Sequence, residues 1–216
     1  MAKKIKVISF DMDGCLTDEQ FNDAFYFVEL PKMIAKKKGV PFSEAYAFAR
    51  SEYDRLYGKR EWADPAYWLK HFGITDPLHE FIKDMKKLIL HYKDTTPVLK
   101  SLRQDYRLVV VSASPRHMID LKLAEESISQ YFEKTFSMYD DFSTMKKEPE
   151  AYKEICKRLG ITADEMVHVG DSRAHDYENP QKAGVKSFLL DRESVEKHDF
   201  VVKSLYEFEK KVRALE

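Results

Sequence analysis

The sequence predicts a doubly wound α/β domain carrying an all-helical insertion. Three observations predict it. Short, uniformly apolar, β-branched runs recur along the chain, as in strands buried on both faces of a parallel sheet. Helical patterns alternate with them, the order of βαβ units. One long segment, residues 19–94, breaks the alternation and shows no strand pattern.

The first strand reads from Ile5 to Phe10 and runs into Asp11-Met12-Asp13-Gly14, where Gly14 permits a sharp turn. Leu108–Val111 is a second strand, ending in Ser112-Ala113-Ser114-Pro115. Thr135–Met138, Met166–Val169, Ser187–Leu190 and Phe200–Val202 complete the set. Helices are predicted over 96–104, 116–127, 150–159, 174–183 and 204–214; Pro97 suits a first turn, and Gly160 and Gly184 suit helix ends. Within the insertion, helices are predicted near 21–38, 43–57, 64–72 and 77–92, with Pro31, Pro41, Pro65 and Pro77 near their boundaries. The insertion holds 15 of the 28 aromatic residues in 76 of the 216 positions, so it has the means to build its own core. The predicted organisation is therefore a core of residues 1–18 and 95–216, with residues 19–94 as a separate helical domain.

Composition excludes several classes. The chain carries 36 Lys+Arg against 37 Asp+Glu, a net charge of −1, so no basic excess exists to neutralise a nucleic-acid backbone. No apolar run approaches membrane-spanning length. The basic start, Met1–Lys6, has no signal-length apolar run behind it. Two cysteines, Cys15 and Cys156, make neither a disulfide framework nor a zinc site. A cytoplasmic protein without nucleic-acid or membrane partners is expected.

Ligands of open parallel sheets bind beyond the carboxyl ends of the strands. Three predicted strands end there in reactive side chains: Asp11 and Asp13, Ser112, and Gly170-Asp171 with Asp176 five residues on. Carboxylates gathered in one place repel unless a cation sits among them. Hard oxygen donors without His or Cys suggest Mg²⁺. A carboxylate can attack phosphorus, and a second acid two residues away can handle protons. Ser112 and neighbouring backbone N–H groups can cradle phosphoryl oxygens. One protein cation should balance the remaining charge, and Lys146 and Lys147 lie near the right edge. Each residue has a plainer alternative. Asp11 and Asp13 suit a turn, Ser112 a helix cap, Asp176 a helix N-terminus and Lys146 a solvated loop.

In this order, these segments resemble the four motifs of the haloacid dehalogenase superfamily of phosphatases. They are Asp11-Met12-Asp13-Gly14-Cys15-Leu16, Val109-Val110-Val111-Ser112, Lys146-Lys147-Glu148-Pro149 and Gly170-Asp171-Ser172-Arg173-Ala174-His175-Asp176. The resemblance covers essentially the whole chain and implies a Rossmann-like core. It implies that Asp11 forms an aspartyl-phosphate and that Asp13 protonates the leaving oxygen, then activates water. It places Mg²⁺ on the Asp11 carboxylate, the Asp13 carbonyl and Asp171, with Asp176 acting through water or orienting that shell. It gives phosphoryl oxygens to Ser112, the Ala113 N–H and the turn at Gly14, and the cationic role to Lys146, counted back from Pro149, with Lys147 as the alternative. Cys15, Lys147 and Ser114 depart from the commoner residues of the family. An insertion between the first two motifs marks a helical type-1 cap, which implies a small phosphorylated substrate.

The implied function is Mg²⁺-dependent hydrolysis of a phosphomonoester. A phosphomutase or phosphonate hydrolase of the same superfamily is the alternative, and a non-catalytic phosphate-binding module is a more distant one. Asp13 argues against a dehalogenase. Trp62, Tyr67, Trp68 and Phe72 read as core of the insertion, Lys36–Lys38 as a solvated face and His168 as core-edge. Arg116 is a candidate for an anionic substrate because it follows the Ser112 loop.

Overall fold

The computed structural model describes residues 5–195 and 198–215. Part of the basic start, residues 1–4, lies outside the described residues. The chain divides into two compact units, Met1–Thr17 with His91–Glu216, and Asp18–Leu90.

The first unit is built on six strands: β1 Val7–Phe10, β2 Arg107–Ser112, β3 Lys134–Ser137, β4 Met166–Gly170, β5 Lys186–Leu190 and β6 Val201–Val202. They pair in parallel in the order β3-β2-β1-β4-β5-β6. Alternate side chains of each strand supply opposite faces. Ile8, Phe10, Leu108 and Val110 join one core with helices Thr95–Leu102, Arg116–Ala124 and Leu205–Arg213. Val7, Val109 and Val111 join the other with helix Pro149–Leu159. Burial on both faces is why these strands read as continuous apolar runs.

The strand order reverses between β1 and β4, so a crevice opens at their carboxyl ends. The register pairs Phe10 with Val169, and the Asp11 N–H donates to the Val169 carbonyl at 2.9 Å. That pairing holds the segments after Phe10 and Gly170 side by side. One short helix, Met138–Phe142, follows β3 directly and takes in Met138, which the sequence suggested as the last strand residue. The Ser137 hydroxyl caps it through the Asp140 N–H.

The second unit is helical. Gln20–Ala24, a π-helical turn Phe25–Glu29 and Leu30–Lys38 run on from one another, followed by Phe42–Leu56, Pro65–His71 and Leu78–Lys83. Pro31 lies near a helix boundary as expected, in the first turn of Leu30–Lys38. It lies inside this run, two residues after the π turn. A proline gives no N–H to the carbonyl four residues back, and the wider turn absorbs that loss. The same device recurs in the first unit, where a π turn over Arg173–Glu178 precedes Pro180.

Of the aromatic stripe, Trp68 and Phe72 are buried in this unit, while Trp62 and Tyr67 are half-buried. Trp68 is fully buried, and Tyr53 meets it edge-to-face at 4.7 Å. Tyr53 also donates its hydroxyl to the Tyr26 carbonyl at 3.0 Å. Asp64 caps the helix that carries Trp68 by accepting from the Ala66 N–H. Lys37, expected on a purely solvated face, instead donates to the Phe72 and Gly73 carbonyls at the end of that helix.

Candidate active site

Asp11 follows the last residue of β1 and is buried. One of its oxygens, Oδ1, lies 2.6 Å from the Lys147 ammonium. Burial pushes the Asp11 carboxyl well above the usual range; Lys147 opposes this, and Asp176 and Asp171 add to it. The ionised form therefore depends on nearby positive charge.

Lys147 is the lysine at the site, and Lys146 is not. Lys146 is exposed, while the Lys147 ammonium bridges Asp11 Oδ1 and Asp176 Oδ1, each at 2.6 Å. The reason is local. Asn179 donates to the Lys147 carbonyl at 3.0 Å, which fixes the segment before helix Pro149–Leu159 with Lys147 turned inward. Counting back from Pro149 does not reveal which lysine faces the sheet. Burial alone would lower the Lys147 pKa, but the two carboxylates outweigh it and raise it.

Asp176 sits in the π turn after β4 and is fully buried. It accepts from Lys147 and from His168 Nε2 at 3.0 Å on Oδ1, and from the Ser172 N–H at 3.0 Å on Oδ2. Burial alone would raise its pKa; Lys147 and His168 outweigh it and hold the carboxyl well below the usual range. An ionised carboxylate only accepts, so His168 Nε2 carries the proton. Its Nδ1, 2.7 Å from Ser9 Oγ, then accepts from that hydroxyl. Burial lowers the His168 pKa, so the ring is neutral. His168 thus supports Asp176 from within the sheet rather than simply filling its edge.

Two glycines allow this approach. A Cβ on Gly14, at φ +72°, would lie 2.4 Å from Asp171 Oδ2. A Cβ on Gly170 would lie 2.5 Å from Asp176 Cγ. Asp171 is open to solvent at the rim, yet its pKa is raised by desolvation of the carboxylate and by Asp176.

Asp11, Asp171 and Asp176 each offer an oxygen, and these oxygens lie within 4.8 Å of one another. The donor set is all hard oxygen, which fits a divalent cation such as Mg²⁺. Asp176 already spends both oxygens on Lys147, His168 and Ser172, so its direct place is with the lysine. Asp13 does not join this group with its carboxylate. Its Oδ1 accepts from Thr17 Oγ1 at 3.2 Å and from the Lys122 ammonium, and its Oδ2 from Ser114 Oγ at 3.3 Å.

Lys122 is the site-edge residue that sequence reasoning missed. It lies on helix Arg116–Ala124 and is buried, and nothing in the linear spacing ties it to Asp13. With it, four carboxyl groups and two lysine ammonium groups gather at the site. Ser112 is buried at the end of β2 and accepts from the Ser114 N–H at 3.2 Å; Ala113 is half-buried between them. Arg116 turns away, to Asp141 at 2.5 Å and to Thr135 Oγ1 at 2.7 Å. Burial and neighbouring Asp11 push the Cys15 thiol well up, which disfavours the thiolate.

The family model for haloacid dehalogenase-like hydrolases matches residues 5–184. The chain belongs to this family. Among curated relatives of the hydrolase are a phosphoglycolate phosphatase of Aliivibrio fischeri, 27% identical with 88% of this chain and 86% of that protein covered, and the GMP/IMP nucleotidase YrfG of Escherichia coli, 23% identical with 79% and 76% covered. A solved phosphatase of the family from Thermococcus onnurineus superposes with a TM-score of 0.86 at 25% identity, over 96% of this chain and 98% of that one. An L-2-haloacid dehalogenase from Xanthobacter autotrophicus shares the fold, with a TM-score of 0.65 at 20% identity over 98% and 100% of the two chains. The hydrolase is a phosphatase-type enzyme of this family.

Proposed function

We propose that this hydrolase cleaves small phosphomonoesters with Mg²⁺, through a phosphoryl group carried on Asp11. Asp11 attacks phosphorus, forming the P–O bond to its carboxylate as the P–O bond to the leaving alcohol breaks. Asp13 gives the leaving oxygen its proton. It then takes a proton from water as that water attacks the phosphorus and frees Asp11. Ser112 and the Ala113 N–H bind phosphoryl oxygens beside Gly14, and Lys147, in place of Lys146, balances charge on Asp11. Asp11, the Asp13 carbonyl and Asp171 would hold Mg²⁺, with Asp176 in support. The metal would supply charge neutralisation for the phosphoryl group.

One observation carries this reading. Two carboxylates stand two residues apart on one turn, each paired with a different buried lysine: Asp11 with Lys147, which Asp176 shares, and Asp13 with Lys122. Halide leaves without a proton, whereas an alcohol leaving group takes one, which a second, separately held acid can supply. The phosphatase and nucleotidase names among the relatives support phosphate-ester substrates. The helical unit Asp18–Leu90 is assigned the part of the cap, which supplies substrate contacts. The two free cysteines support a reducing, cytoplasmic setting.

The test is phosphate release from p-nitrophenyl phosphate and a panel of phosphorylated metabolites, with and without Mg²⁺. Mg²⁺-dependent release of inorganic phosphate is expected. Retention of phosphate in an isomerised product identifies a mutase, and turnover unaffected by chelation removes the metal from the account.

A further inference from the structure

Lysine is rarely buried, because removing an ammonium from water is costly unless it is paired. Lys122 is 2% exposed on a helix whose neighbouring Ile119 and Leu123 are core. An apolar residue would fill that place at lower cost. What the lysine adds is its contact with Asp13, made from the protein side while the Asp13 side chain stays 17% exposed. From this geometry we infer that Lys122 is a positioning residue that fixes the direction of the Asp13 carboxylate. The inference rests on the acid/base reading of Asp13.

The two oxygens of Asp13 are held unequally. Oδ1 accepts from Lys122 and from Thr17 Oγ1 at 3.2 Å, while Oδ2 meets Ser114 Oγ at 3.3 Å. Oδ1 is thereby the anchored oxygen. Oδ2, with the single longer contact, is the one that moves protons. In the first step the proton passes from Oδ2 to the leaving oxygen. In the second, Oδ2 takes a proton from the attacking water, so the carboxyl ends as it began. Lys122 touches neither the substrate nor the phosphoryl group in this scheme. It keeps Oδ1 occupied, so that the carboxylate does not rotate between two equivalent settings and proton transfer stays in line with the reacting atoms.

The test is a double-mutant cycle on the full chain with Mg²⁺, using p-nitrophenyl phosphate and an alkyl phosphate such as glycerol 2-phosphate. The variants are Lys122→Met, Lys122→Gln, Asp13→Asn and Asp13→Asn/Lys122→Met. Lys122→Met is expected to lower kcat on the alkyl phosphate by roughly ten- to a hundredfold, a part of the roughly hundred- to ten-thousandfold that full acid–base assistance contributes. KM should stay within about twofold, since no substrate contact is lost. The loss on p-nitrophenyl phosphate should be smaller, because nitrophenolate leaves without a proton. In the Asp13→Asn background, Lys122→Met should cost no more than about twofold, as expected for two residues acting as one unit. Lys122→Gln, which keeps a donor, should recover part of the loss. Equal losses in the two backgrounds, or equal losses on the two substrates, overturn the inference in favour of a purely structural lysine. If Lys122→Met fails to fold, Lys122→Gln and Asp13→Asn/Lys122→Gln carry the same comparison. If Asp13→Asn leaves alkyl phosphate turnover unchanged, the acid/base reading itself falls. If it abolishes turnover while Lys122→Met does not reduce it, only the role of Lys122 falls.

Discussion

At the scale of single residues, one of two adjacent lysines stands beside Asp11. Lys147 is 4% exposed and pairs with two buried carboxylates, whereas Lys146 is exposed in the same loop. Removing one partner of a buried ionic cluster leaves charge uncompensated and costs about 3–5 kcal/mol. Lys147→Met should therefore lose both phosphatase activity and stability, while Lys146→Ala should keep both close to wild type. Turnover and urea denaturation of the two variants check this, and the opposite pattern would return the role to Lys146. The contrast also marks the limit of reading a site from spacing. Asp11, Asp13, Ser112 and Asp171 were legible because strand ends dictate where they must lie. The choice between adjacent lysines was not, because one step along a loop turns a side chain from sheet to solvent. Lys122 was invisible for a different reason. It reaches Asp13 across 109 positions of chain from the inner face of a helix, where the residue pattern alone suggests a core-facing position.

At the scale of elements, β4 and the π turn after it do the supporting work. β4 brings His168 under Asp176, and Gly170 lets the turn fold back onto the strand end. The expected helix over 174–183 became a π turn and a short helix because Pro180 cannot continue an ordinary hydrogen-bond ladder. This support depends on pH with a definite sign. Burial lowers the His168 pKa below its ordinary 6.5, so the folded state prefers the neutral ring. The stability it contributes is present above about pH 6.5, the unfolded value, and is lost as pH falls from there through the folded pKa. Wild type should lose more stability than His168→Gln between pH 7.5 and 5.5, because glutamine offers a donor that never charges. Denaturation midpoints at the two pH values measure the difference. Equal acid losses in both proteins would mean that His168 does not carry this dependence.

At the scale of the whole molecule, the chain leaves and re-enters the first unit at neighbouring points. Thr17 and His91 form an antiparallel bridge, and the Tyr92 N–H donates to the Leu16 carbonyl at 3.2 Å. A short linker can therefore replace residues 18–90 without opening the sheet. Such a variant, shown to be folded by a cooperative melt, should keep measurable p-nitrophenyl phosphate hydrolysis and lose its preferences among phosphorylated metabolites. An unchanged preference profile would mean that the helical unit does not set substrate range. The near-zero net charge said little about function as a sum. Its content is in placement, with four carboxylates and two lysines drawn from distant segments to one end of a parallel sheet.

The central claim is that Asp11 is the nucleophile. Its most direct measurement is p-nitrophenyl phosphate turnover by Asp11→Asn in the presence of Mg²⁺, on protein whose melting transition shows that it is folded. The amide cannot form the acyl phosphate, so a fall in kcat of roughly a thousandfold or more, towards background, is predicted. Turnover close to wild type in the folded variant would contradict it.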